Sequence, residues 1–255
     1  MSALAFDRAG AGPQVLLVHG LGGERHVWEP VWPALTARCD VMAIDLPGFG
    51  GSDPLSAGSD VSPQGLARAV ATFADAQGFE RPHVAGNSLG GWVALELARL
   101  GVVRSVTALC PAGFWVRKQG PLPTGPRRAL MALRPLIPLA FALPAVRERV
   151  LGGVMVHPDR PGYRASVRIA SAYAHSRGYV EVQNAMRARR LEDGAGIDVP
   201  VTLAWAEHDR LVGPQRVALR PTRVELLRDA GHVPMWDAPE HVATLVLEDA
   251  LAGPV

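Results

Sequence analysis

Gly86-Asn87-Ser88-Leu89-Gly90 decides how this chain is read. The five residues fit G-x-S-x-G, in which a serine sits on a sharp strand-to-helix turn and its hydroxyl stands clear of the backbone. Gly and Ser are common in ordinary loops, so the pentapeptide alone specifies little. Its flanks specify more. Pro82-His83-Val84-Ala85 reads as a short buried strand, and Gly91-Trp92-Val93-Ala94-Leu95-Glu96-Leu97-Ala98 as a helix. Gly86 and Gly90 let the turn close without Cβ clashes.

Outward from the turn, strands alternate with helices. Val15 to Val18 and Val41 to Leu46 are short apolar runs, as expected of strands buried on both faces. Ser105 to Cys110, Val199 to Ala206 and Val224 to Arg228 are further strands, and Phe6 to Ala9 is an edge strand. Ser62-Pro63 reads as an N-cap with proline at the first helical position. Leu66, Val70, Phe73 and Ala74 then share one helical face, and Gly78 ends the helix. The last helix starts near Asp237-Ala238-Pro239-Glu240, with Asp237 as its N-cap. This alternation predicts an α/β fold with a mostly parallel central sheet flanked by helices.

The rhythm breaks between Gly113 and Gly196, a Pro- and Arg-rich stretch without clear strands. Helices are expected over Ala129–Leu133, Ala145–Val150, Ala165–Ala174 and Val180–Arg189. The expected division is a core of 1–112 and 197–255 with a helical cap of 113–196.

Composition narrows the function. The 255 residues are 48% apolar, enough for a sizeable core, and carry a formal net charge of only +2. That small balance argues against a nucleic-acid partner. Cys39 and Cys110 are the two cysteines, so no disulfide framework is expected. The N-terminus lacks a signal peptide's basic start and apolar centre. The apolar run from Leu136 to Val146 is too short to span a bilayer and is broken by Pro138 and Pro144. The expectation is a cytoplasmic protein with no membrane partner.

A serine hydroxyl needs a base within hydrogen-bond reach, and the base needs an orienting acid. Among eight histidines, His232 in Ala230-Gly231-His232-Val233-Pro234 follows the last strand. It therefore lies with Ser88 at the C-terminal edge of the sheet, where reacting groups gather in open α/β folds. Trp205-Ala206-Glu207-His208-Asp209 supplies the acid. Asp209 is the choice and Glu207 the rival, because strand alternation projects either. A tetrahedral oxyanion needs donors. The N–H of Leu89, at a helix start, is one. The N–H of Leu21, in His19-Gly20-Leu21-Gly22-Gly23, is the other, with His19 itself read as structural.

With these residues in hand, the chain resembles the α/β-hydrolase superfamily over nearly its whole length outside Gly113–Gly196. The resemblance rests on the His19-Gly20 loop, Asp45-Leu46-Pro47-Gly48-Phe49-Gly50-Gly51-Ser52-Asp53, the serine turn, Glu207-His208-Asp209 and Gly231-His232-Val233-Pro234. It implies a Ser88–His232–Asp209 triad, favours Asp209 over Glu207, and implies a helical cap ahead of the strand carrying the acid. It also gives the Asp45–Asp53 turn a structural role rather than a metal site, and implies a first strand that is short or absent. Neither cofactor nor metal is implied.

The activity expected is cleavage of a carboxylic ester, thioester or lactone on a small molecule. Haloalkane dehalogenases and epoxide hydrolases of the superfamily use aspartate where this chain has Ser88. The alternatives are a meta-cleavage-type carbon–carbon hydrolase, to which Trp236 points, and a non-catalytic ligand-binding member of the same fold. Trp92, Phe141, Leu143, Val233 and Trp236 are candidates for the substrate pocket. Trp28 is expected to pack, Cys110 to be an inert buried thiol, and His157 and His175 to face solvent.

Overall fold

The computed structural model describes residues 4–115, 117, 120, 131–191, 194–212 and 223–252. Among them seven strands form one sheet: β1 (Phe6–Ala9), β2 (Gln14–Val18), β3 (Asp40–Ile44), β4 (His83–Asn87), β5 (Ser105–Leu109), β6 (Val201–Ala206) and β7 (Arg223–Leu227). Their order is β1-β3-β2-β4-β5-β6-β7. Only β1 runs antiparallel, pairing Phe6 with Ile44 at the edge. The first strand is thus short but present. The other five pairings are parallel.

Alternation along each strand feeds two cores. In β2, Leu16 and Val18 point to one side and Val15 and Leu17 to the other; in β3, Met42 and Ile44 oppose Val41 and Ala43. The helices that cover these faces are α1 (Trp32–Thr36), α2 (Pro63–Ala76) and α3 (Leu89–Arg99) in the first half of the chain. The insertion between β5 and β6 carries α4 (Ile137–Phe141), α5 (Pro144–Leu151), α6 (Tyr163–His175) and α7 (Tyr179–Arg187). After β7 come α8 (Pro234–Asp237) and α9 (Pro239–Leu251). Helices α2 and α3 pack on one face through Leu66, Val70 and Leu95, whereas α9 covers the other through Val242, Leu245 and Val246. Each such fully buried side chain contributes about 1.5–3 kcal/mol of transfer free energy.

Ser62 caps α2 as expected, its hydroxyl accepting from the Gly65 N–H at 3.2 Å. The last helix differs from expectation. Its N-cap is Ala238, not Asp237, which ends the preceding turn α8. The carboxylate of Asp237 turns away to other donors, described below. The expected helix over 129–133 lies only partly within the described residues, and Leu130 lies outside them.

Candidate active site

Strand β4 is buried along its whole length and delivers Ser88 at its C-terminal end. Ser88 has φ 56° and ψ −114°, a conformation an L-residue adopts only under strain of about 1–3 kcal/mol. Its backbone is held on both sides: its N–H donates to the Leu109 carbonyl, and its carbonyl accepts from Trp92 and Ala112. The turn is too tight for side chains at the flanking glycines. A Cβ on Gly86 would stand 2.2 Å from the Gly90 carbonyl oxygen, and one on Gly90 would stand 2.2 Å from that of Val18. The Ser88 hydroxyl makes no capping bond to α3.

Asn87, beside the serine, spans to the loop after β7. Its amide donates to the His232 carbonyl at 3.0 Å and to the Leu109 carbonyl at 3.3 Å. The structure brings Asp209, not Glu207, to His232. The Nδ1 of His232 lies 2.8 Å from Oδ2 of Asp209, whose side chain has no exposed surface. The other oxygen of Asp209 accepts from the N–H groups of Leu211 (2.7 Å) and Val212 (2.9 Å). Burial alone raises the pKa of Asp209. The hydrogen bond and charge of His232, with these two N–H donors, outweigh it and hold the carboxyl below its ordinary value. Glu207 is more exposed and accepts from the Asp229 N–H instead.

Because Asp209 is acceptor-only when ionised, His232 Nδ1 carries the proton and Nε2 presents a lone pair. Cys110 is also buried here, its ligating atom grouped with those of Asp209 and His232 within 4.8 Å. Burial, followed by the charge of Asp209, pushes the thiol well above its ordinary range, so it stays protonated. A protonated thiol beside this carboxylate accounts for the cluster, and sequence alone gave no sign of it.

The loop after β2 closes the opposite side. A Cβ on Gly20 would stand 3.2 Å from both Ser88 Cβ and Asn87 Oδ1, so the loop and the serine turn touch. The N–H of Leu21 has no backbone acceptor among the described residues. Leu89, first residue of α3, has no intrahelical acceptor for its own N–H. His19 is wholly buried and structural. The Leu46 N–H donates to its Nε2 at 2.9 Å, so Nδ1 carries the proton and donates to the Gly20 carbonyl at 2.7 Å. Burial keeps this ring neutral. Asp45 is likewise structural, accepting from Arg25 and from the Gly51 N–H, and Asp53 pairs with Arg177 at the surface.

The helical insertion covers this edge. A Cβ on Gly22 would lie 2.7 Å from the Tyr173 ring of α6 and 3.1 Å from the Tyr179 ring of α7. Those two rings meet edge-on with centroids 5.0 Å apart. On the histidine side, the Val233 N–H donates to the Val154 carbonyl. The Asp237 carboxylate accepts from Gly231 at 2.8 Å, Val156 at 3.0 Å and His157 at 2.8 Å. Beneath this cover Ser88 is 9% and His232 7% exposed. A small recess beside His232 is lined by Gly152, Val154, Met155, His208, Arg210 and Gly231.

The expected pocket residues separate. Val233 and Trp236 do lie beside the site, packed with Leu151, Met155 and Ile169. Trp92 does not. It is fully buried behind the serine turn, its indole N–H donated to Glu96 at 2.9 Å. Phe141 packs with Ile137 and Ala174 in the insertion's own small cluster, and Leu143 is 61% exposed on the outer surface. Trp28 packs in the core. His175 is exposed as expected, but His157 is half-buried and 2.7 Å from Asp229. Asn87, Met155, Tyr173, Tyr179 and Asp237 are the neighbours of the site that sequence reasoning missed. Each acts across 50 or more intervening residues, or through a contact no local pattern encodes.

Residues 15–245 match the Alpha/beta hydrolase family. The chain is 33% identical over 272 residues to the pimeloyl-[acyl-carrier protein] methyl ester esterase of Methylococcus capsulatus, covering 96% of this chain and 97% of that protein. It is 33% identical over 196 residues to the epoxide hydrolase EphH of Mycobacterium tuberculosis, covering 71% and 91%. Among solved structures it is similar to a membrane phospholipase A, described as a bacterial virulence factor. The TM-score is 0.75 at 30% identity, covering 99% of this chain and 86% of that one.

Proposed function

The chain belongs to the alpha/beta hydrolase family, and from that premise we propose that it is a serine hydrolase cleaving carboxylic esters through an acyl-enzyme on Ser88. The observation that carries this reading is the 2.8 Å His232–Asp209 bond, with the His232 carbonyl accepting from Asn87, the residue before Ser88. Ser88 Oγ attacks the ester carbonyl as His232 Nε2 takes its proton. The oxyanion forms against the N–H groups of Leu21 and Leu89. His232 then protonates the departing alkoxide, and Asp209 stabilises the imidazolium through Nδ1. Water, deprotonated by His232, attacks the acyl-enzyme and releases the acid. Each oxyanion donor is worth about 3 kcal/mol of barrier lowering.

The curated esterase relative, alike over almost its full length, supports an ester as the scissile group. An alcohol nucleophile at Ser88 speaks against the epoxide chemistry named for the other relative. The walls suit an uncharged acyl group: Met155, Val233 and Trp236 on one side, Tyr173 and Tyr179 on the other. Short to medium acyl chains are the substrates this wall accepts, including thioesters and lactones of that size. Each methylene that fits adds up to roughly 1 kcal/mol, so selectivity is graded.

The test is a panel of p-nitrophenyl esters of increasing chain length, run beside a thioester, a lactone, an epoxide and a ring-fission diketone. Turnover of the esters, abolished in Ser88→Ala together with labelling by a fluorophosphonate, is the expected result. Turnover confined to the diketone assigns the carbon–carbon reading. A chain that neither turns over nor labels is a binding member of the fold.

A further inference from the structure

Helices α4 and α5 of the insertion carry an apolar surface on which nothing packs among the described residues. Residues 135–146, Pro-Leu-Ile-Pro-Leu-Ala-Phe-Ala-Leu-Pro-Ala-Val, contain no charged or hydrogen-bonding side chain. Only Ile137 and Phe141 of this run are buried, facing α6 at Ala174. The other side is apolar too. Leu139 is 72% exposed, and Leu133, Leu136, Leu143 and Val150 are each more than half exposed. A surface helix of a soluble protein ordinarily turns charged residues outward. Contiguous apolar surface of this kind marks an interaction site.

The charges around it say what it meets. Arg134 closes the run at one end, and Arg147 and Arg149 close it at the other. Between residues 117 and 150 the chain has seven basic residues (Arg117, Lys118, Arg127, Arg128, Arg134, Arg147 and Arg149) and one acidic residue, Glu148. The whole chain nets only +2, so positive charge is concentrated in this segment. A second copy of the chain docked face to face would bring these cationic rims together. An anionic lipid surface complements both features, because leucines enter the acyl boundary while arginines stay among the head groups.

We propose that the α4–α5 face docks the protein on the surface of an anionic bilayer, lying in the interface rather than crossing it. The run is about half the length a spanning helix needs, and among the described residues no helix is long and apolar enough to cross. This replaces the expectation of no membrane partner. Helix α5 leads directly into Gly152–Met155, which lines the recess beside His232. The docked face and the candidate active site are therefore joined by a few residues of chain. Docking itself stands on the exposed face and its charges, whatever bond Ser88 cleaves.

The experiment is co-sedimentation of the full-length chain with large vesicles of phosphatidylcholine, with and without phosphatidylglycerol, at low and high salt. Binding is expected with phosphatidylglycerol, weaker with phosphatidylcholine alone, and reduced by salt. The double variant Leu136→Asp/Leu139→Asp lowers partitioning at least about tenfold, because two apolar side chains no longer enter the boundary. Arg134→Gln/Arg149→Gln, changed only at exposed positions, lowers binding to the anionic vesicles by about tenfold and leaves binding to neutral ones unmoved. Thermal unfolding of each variant establishes that it is folded, and the arginine pair decides the matter if the aspartate pair is not. No binding to anionic vesicles overturns the proposal, as does equal binding to both vesicle types. A dimer in sedimentation velocity that Leu136→Asp/Leu139→Asp dissolves, without vesicle binding, assigns the face to a second copy instead and likewise overturns it.

Discussion

Replacing Asp209 by asparagine tests the candidate site most directly. Besides the protonated Cys110 thiol next to it, the carboxylate meets His232 Nδ1 at 2.8 Å through one oxygen and the N–H groups of Leu211 and Val212 through the other. Asparagine offers one oxygen. If that oxygen stays on the two N–H donors, its amide NH2 faces His232 Nδ1. The imidazole must then accept at Nδ1 and carry its proton on Nε2, the atom that has to take the Ser88 proton. The flipped amide restores the imidazole but sets its NH2 against the N–H groups of Leu211 and Val212, donor against donor, losing two hydrogen bonds of about 0.5–1.5 kcal/mol each. The first arrangement wins, and the base is held in the wrong tautomer. The expected loss in kcat is on the order of 10⁴, or about 5.5 kcal/mol of barrier. Glu207→Gln removes only an exposed carboxylate that accepts from the Asp229 N–H, so turnover falls less than about fivefold. Steady-state hydrolysis of the best p-nitrophenyl ester, normalised by fluorophosphonate titration, measures both. An Asp209→Asn enzyme within tenfold of the parent, or a Glu207→Gln enzyme that is the more damaged, refutes the reasoning.

Ser88→Ala is expected to remain folded, with the backbone strain unchanged because alanine keeps the Cβ, and to lose about 10⁴–10⁶ in turnover. Unchanged hydrolysis excludes Ser88 as nucleophile. Asp237→Asn leaves at least one of three N–H donors, one buried and two part-buried, facing an NH2 group and should cost about 1–3 kcal/mol in urea unfolding; an unchanged midpoint shows that the three bonds contribute nothing. His83 supplies a pH test. It lies wholly buried between Ser105 and Thr107, and burial together with the Arg104 cation pushes its pKa down to about 3. Below its ordinary value of 6.5 the unfolded chain takes up a proton that the folded chain refuses. Stability is therefore full above that value and falls with acidification by up to about 1.4 kcal/mol per pH unit. Urea unfolding between about pH 6.5 and pH 4.5, a window above ordinary carboxyl titration, should show this slope, reduced in His83→Gln. An identical slope in the variant assigns the acid sensitivity elsewhere.

The strands were legible because parallel strands buried on both faces read as apolar runs, as Val15–Val18 and Val41–Leu46 do. The serine turn was legible because its geometry forbids Cβ atoms at Gly86 and Gly90. The choice between Asp209 and Glu207 was not open to periodicity. Both residues follow the end of β6, in a turn where the two-residue repeat lapses. Only the backbone donors of Leu211 and Val212 fix which carboxylate turns inward. Asp237 was misread for a different reason. Asp-Ala-Pro-Glu carries every local mark of a helix start, but the N–H of Gly231 and those of Val156 and His157, the last two distant in sequence, outcompete the helix for its carboxylate. The tyrosine pair over Gly22 left no local trace, since α6 and α7 show only ordinary amphipathic patterns.

The insertion is fastened to the core on both sides of the candidate site. Beside His232 the N–H groups of Val156 and His157 donate to the Asp237 carboxylate, each charge-assisted bond worth roughly 1.5–3 kcal/mol. Over the loop after β2, Tyr173 and Tyr179 stand against Gly22, the Gly178 N–H donates to the Gly48 carbonyl, and Arg177 pairs with Asp53. A roof pinned to two walls is a span, and loosening one anchorage shifts load to the other. The carboxylate that anchors it at one wall also takes the N–H of Gly231, the residue before His232, so roof and histidine loop share a single bolt and a change at Asp237 is felt by both.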